Sequence, residues 1–199
     1  MEGFNYPMEQ HARRHGPVGY ATYESYRPWL RDEFYFRCVY CLHREQWNTD
    51  DSAFHIDHFS PVAVNPELRI EYANLLYACS RCNLAKSDLV GLPDPCQVAF
   101  GECLTIRETG HVETLNDLGI RLSDTLKLNE TRRVERRHRW IRTLSCLSRD
   151  NPSLYREFMS FPSDLDDLRP LRPLSNSLPD SVKDCFFAQK EKGRLAPSY

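Results

Sequence analysis

Four of the eight cysteines fall into two pairs of identical spacing, Cys38-Val-Tyr-Cys41 and Cys79-Ser-Arg-Cys82. A C-x-x-C turn presents two thiolates to one side of a single metal. Two such turns complete the closed tetrahedral shell of a structural zinc site. Two other readings compete, unrelated buried cysteines and a redox C-x-x-C. The first fits less well because both pairs flank one polar motif, the second because no βαβ pattern surrounds either pair. Cys96, Cys103, Cys146 and Cys185 show no pairing pattern and are expected to be small buried hydrophobes. The 37 residues between the pairs hold Phe54-His-Ile-Asp-His-Phe-Ser-Pro61 and Asn74-Leu75, and Asn83 and Lys86 follow the second pair. A histidine can take a proton near neutral pH, and carboxylate and amide oxygens suit a hard cation.

In this order, Asp57-His58, Pro61, Asn74-Leu75, the second C-x-x-C, Asn83 and Lys86 resemble the signature of the HNH endonuclease family. The resemblance covers about residues 29–90, less than a third of the chain. It implies an α+β fold: a small ββα-metal core stapled by the four-cysteine zinc site, with a mainly helical C-terminal extension. It also implies metal-dependent cleavage of DNA that leaves 5′-phosphate and 3′-hydroxyl ends. Asn83 stands where many members carry a final histidine, a departure shared with the HNH domains of RNA-guided CRISPR nucleases. An Asp/Asn donor set suits Mg²⁺ or Mn²⁺ better than a soft metal.

Phosphodiester hydrolysis needs a nucleophilic water, charge neutralisation at the phosphate and help for the leaving oxygen. His58 is the candidate general base, and Asp57 and Asn83 are the candidate ligands of the catalytic Mg²⁺. By the resemblance, Asn74 holds the loop between the strands and orients His58. Lys86, one helical turn after Asn83, is expected to share its face and meet a phosphate. Neighbouring residues of an ideal strand point to opposite faces, so Asp57 and His58 need a twist or a strand end, which Pro61 fits. His55 shares a strand face with Asp57; a metal or phosphate contact and a structural role are equally open. His43 is expected at the surface.

The elements that must position these residues follow from local pattern. Pro28 to Phe36 reads as a short helix leading to the first knuckle, and Ala53 to His58 as a strand. Asn74 to Cys79 is a strand or a helical turn. A helix is expected from Ser80, as its N-cap, to about Asp88, stopped by Gly91-Leu-Pro93. Leu104 to Leu115 reads as a hairpin turning at Thr109-Gly110. Helices are expected over Asn116 to Leu126, Glu130 to Leu147, Pro152 to Phe161 and Ser181 to Lys190. The expected organisation is an arm over 1–28 whose first 22 residues look poorly ordered, a nuclease core over 29–92, a hairpin and helical extension over 93–161, and a Pro/Ser-rich tail over 162–199.

Composition restricts the alternatives. No run of about 18 apolar residues exists, so no membrane partner is expected. The first residues lack a basic start and apolar run, which points to the cytoplasm. The net charge of −2 hides a segment, Lys127 to Arg149, with eight basic residues against Glu130 and Glu135. Arg132, Arg136 and Arg139 fall on one side of the helix expected there, opposite Val134 and Ile141. They are expected to grip a nucleic-acid backbone, with an acidic partner protein as the alternative. Rival functions are a non-catalytic zinc-stabilised nucleic-acid-binding module and an RNA-cleaving effector activated by a partner. Proteins of similar build serve in bacterial anti-phage defence, sometimes beside a regulatory ATPase. This sequence has no Walker motif of its own.

Overall fold

The computed structural model describes residues 3–48 and 53–199. The N-terminal segment is docked rather than loose. The phenol of Tyr6 donates to the Tyr40 carbonyl (2.9 Å), and the Gly101 N–H donates to Pro7 (2.7 Å). Strand β1 (Pro17–Val18) pairs antiparallel with residues Ser175 and Asn176 of the tail. Helix α1 (Arg27–Glu33) starts with proline in its first turn, where the missing N–H costs nothing, and buries Trp29, Leu30, Asp32 and Glu33. It ends in two left-handed residues, Tyr35 and Phe36, which turn the chain into the first knuckle. That conformation costs roughly 1–2 kcal/mol at a non-glycine residue. At Phe36 it is opposed by burial against Phe161 and Phe186.

Strand β2 (Phe54–His58) and strand β3 (Leu75–Cys79) form an antiparallel hairpin in which His58 lies opposite Leu75 and Phe54 opposite Cys79. Helix α2 (Ser80–Lys86) follows without a break. Cys79, not Ser80, is its N-cap, and Ser80 is the first helical residue. This ββα unit is the middle of an α+β molecule with small antiparallel sheets and a helical C-terminal portion.

The second hairpin, β4 (Leu104–Ile106) and β5 (Val112–Thr114), turns at Gly110, whose φ of 82° suits glycine. The turn presses on the backbone of a long helix at Val134 and His138, leaving no room for a Cβ at Gly110. Helix α3 (Asp117–Thr125) is capped by Asn116, whose side chain accepts from the Gly119 N–H (2.9 Å). Helix α4 (Thr131–Asp150) buries Arg133, Arg137, Ile141 and Leu144, so two of its arginines lie on the inward stripe. Helix α5 (Pro152–Met159) packs back on α4, and strand β6 (Ser175–Asn176) is followed by helix α6 (Phe186–Glu191).

One hydrophobic cluster runs through these elements, from Trp29 and Leu30 through Leu75, Leu76 and Leu104 to Ile141 and Leu144. Trp47 stacks on Trp140 at 4.7 Å, which ties the knuckle region to α4. Three expectations need correction. The described part of the segment expected to be loose is anchored, since buried carboxylates of α1 hold His11, Arg14 and His15. His43 is buried between Trp47 and Phe54 and bonds Asn48 (3.0 Å). Of the four unpaired cysteines, Cys103 and Cys185 are buried, but Cys96 is only partly so and Cys146 is exposed.

Candidate active site and metal centre

The two C-x-x-C turns meet. The sulfurs of Cys38, Cys41, Cys79 and Cys82 all lie within 4.8 Å of one another, and Cys41 and Cys79 are 3.6 Å apart. A tetrahedral ion with metal–sulfur bonds of about 2.3 Å sets sulfurs about 3.8 Å apart, so the cluster is compatible with structural zinc. Backbone bonds from Cys38 N–H to His43 and from Leu42 N–H to Cys38 shape the first knuckle (2.8 and 3.0 Å). The register of β2 on β3 and the start of α2 bring the second pair to it. Burial pushes the Cys38 thiol up, while hydrogen bonds from the other three thiols hold Cys41 well below its ordinary value. A guanidinium completes the surroundings: Arg133 of α4 donates to the Cys82 sulfur at 3.4 Å.

The Asp57-His58 pair sits at the end of β2, and the chain treats the two side chains differently. Asp57 points inward. Its Oδ2 accepts from the Tyr40 hydroxyl (2.6 Å) and its Oδ1 from the Lys86 ammonium (3.0 Å), with 3% of the residue exposed. Burial and the Asp57 charge push the Tyr40 phenol well above its ordinary value, which keeps it a donor. Lys86 also donates to the His58 carbonyl (2.6 Å). At 1% exposure Lys86 cannot reach a phosphate outside. The expected phosphate contact is therefore corrected: a buried carboxylate demands a counter-charge, and Lys86 is it.

His58 is half-buried, and its Nε2 lies 2.9 Å from the Arg69 carbonyl. A carbonyl can only accept, so in the neutral ring Nε2 carries the hydrogen and Nδ1 keeps the lone pair. Tyr23, from the segment ahead of α1, packs against the imidazole in a T-shaped contact at 4.8 Å. Asn74 closes the loop between the strands. Its Oδ1 accepts from the Ser60 N–H (2.7 Å), and its Nδ2 donates to Ser60 (3.0 Å) and Leu68 (3.2 Å). Asn83 is half-buried on α2, one turn before Lys86. His55 is exposed while Asp57 is buried, although the pairing of β2 with β3 is unbroken past both.

Of the α4 arginines, Arg132 and Arg139 are exposed, whereas Arg136 is half-buried where it feels Arg81 and the cysteine cluster. Residues with no motif behind them also belong to the site: Tyr40, Tyr23, Arg69 and Arg133. Tyr40 alone had a local signal, since it lies inside the first knuckle, whose turn fixes its direction.

No helix among the described residues is long and apolar enough to cross a membrane. No curated protein matches the chain. Residues 38–89, which hold the four cysteines, the Asp57-His58 strand end and the whole of helix α2, match the family model described as HNH endonuclease. The chain thus carries an HNH endonuclease domain over residues 38–89.

Proposed function

We propose that this chain is a metal-dependent endonuclease that hydrolyses DNA phosphodiester bonds with His58 as general base. The observation that carries the reading is the bond from His58 to the Arg69 carbonyl, which leaves Nδ1 as the basic atom of a half-buried ring at a strand end. In the reaction a water oxygen attacks phosphorus and its proton passes to His58 Nδ1. The bond from phosphorus to the 3′ oxygen breaks, and that oxygen takes a proton from solvent, leaving 5′-phosphate and 3′-hydroxyl ends.

Asp57 and Asn83 would hold a divalent cation of the Mg²⁺ or Mn²⁺ type. Their oxygens suit a hard ion, and a carboxylate has about four lone-pair sites, of which Tyr40 and Lys86 use two. Such a cation supplies charge neutralisation at the phosphate and at the departing oxygen. Asn74 keeps the loop, and hence the Arg69 carbonyl, in place for His58. The four thiolates would hold structural Zn²⁺. Arg132 and Arg139 would hold the duplex backbone, with Arg136 at their edge.

The test is end-labelled duplex cleavage with Mg²⁺, with Mn²⁺ and with EDTA, followed by ligation of the products. Cleavage that needs the added cation and yields religatable ends is expected. Binding without cleavage in every cation would instead support a zinc-stabilised binding module.

A further inference from the structure

With Lys86 enclosed, the site needs another exposed cation beside its base. We propose that Arg69 contacts the scissile phosphate and that Tyr23 positions both Arg69 and His58; the proposal rests on the nuclease reading above. Arg69 lies in the loop that Asn74 closes, and its own carbonyl receives the His58 Nε2 hydrogen. Its backbone is therefore fixed to the general base. Its guanidinium sits over the Tyr23 ring, 5.8 Å from the centroid, and the edge contact of Tyr23 with His58 is on the same phenol. One aromatic ring thus links the cation and the base.

Arg69 is exposed, and among the described residues it forms no ion pair. Glu24 feels its charge, as does the Tyr23 phenol. An unpaired guanidinium beside a base is suited to phosphate, which it meets with two parallel N–H donors. Tyr23 comes from outside residues 38–89, so the N-terminal segment would contribute to the chemistry of the nuclease domain.

The test uses the full chain, with zinc content and thermal midpoint matched among variants. Arg69→Ala is expected to slow single-turnover cleavage of a labelled duplex about 100-fold, the order seen when one donor to a developing anion is removed. Arg69→Lys restores part of the rate. In the uncut state provided by His58→Ala, adding Arg69→Ala is expected to lower the salt slope of duplex binding by about one. Tyr23→Ala lowers the rate and moves the midpoint of the rate-against-pH curve, a readout that loss of fold alone would not give, and Tyr23→Phe, which keeps the ring, restores most of what Tyr23→Ala loses. Wild-type rates with an unchanged salt slope in Arg69→Ala would overturn the proposal. A wild-type chain that cuts nothing removes the nuclease reading separately; the binding slope then judges Arg69 alone, an unchanged slope overturning the phosphate contact and a lost unit supporting it.

Discussion

Lys86 reaches the end of β2 from inside the molecule, and its ammonium neutralises Asp57 while holding the His58 carbonyl. A buried carboxylate that loses such a partner is costly, about 3–5 kcal/mol. Lys86→Met is therefore expected to lower the urea midpoint sharply, whereas Lys86→Arg in the same measurement keeps more of the stability. A variant as stable as wild type would contradict the buried pair. Arg133 poses the same question at the four-cysteine cluster. It donates to Cys82 and also to the Leu126 carbonyl, so it fixes one sulfur relative to α4. Partners of metal ligands typically change metal affinity about 10–100-fold. Arg133→Met is expected to release zinc to a chromogenic chelator correspondingly faster, while Arg132→Met, exposed on the same helix, leaves the rate unchanged. Residue identity made the four cysteines and the Asp57-His58 pair legible, because their spacing alone restricts what they can hold. It could not tell a phosphate-binding lysine from a buried counter-ion. Asn83 to Lys86 is one helical turn in either case, and only the direction of Asp57 decides between them.

At the scale of elements, α1 organises the N-terminal segment through its two buried carboxylates. Glu33 accepts from the His11 ring (2.7 Å), from the backbone N–H groups of Arg14 and His15 (2.8 and 3.0 Å) and from the Tyr72 hydroxyl (3.0 Å). Asp32 accepts from His15 (2.8 Å) and from the Phe186 N–H (2.7 Å). Burial pushes the Glu33 carboxyl up, but the His11 hydrogen bond and charge, with Arg14 and Arg13, hold it below the usual carboxylate range. A carboxyl depressed in the folded state stabilises fully above its unfolded value, about pH 4, and loses that contribution as pH falls through the folded value. Glu33→Gln is thus expected to lower the thermal midpoint near pH 7 and to open Arg13 and Arg14 to trypsin. The difference from wild type closes as pH drops below about 4. A difference that is constant with pH would contradict this clamp. Composition marked the same segment as loose because its partners are remote: Asp32 and Glu33 follow it by some twenty residues, and the tail strand by far more. The hairpins and helices were legible for the opposite reason. Gly110, Pro28, Asn116 and the apolar periods act locally, within a turn or two of the chain.

Across the whole molecule, the extension is part of the same packed body as the HNH domain. Trp140 and Arg133 of α4 reach the knuckles, the tail strand pairs with β1, and Phe186 packs on Phe36 at the entrance to the first knuckle. The basic segment therefore has two uses that composition adds together. Arg133 and Arg137 donate to backbone carbonyls inside, and only the outward arginines are available to a polyanion. In this setting His58 is the proposed general base. The most direct measurement is plasmid cleavage by wild type and His58→Ala with Mg²⁺ or Mn²⁺, at equal zinc content. Cation-dependent cleavage by wild type and its loss in the variant are expected; undiminished cleavage by His58→Ala would mean that another group is the base.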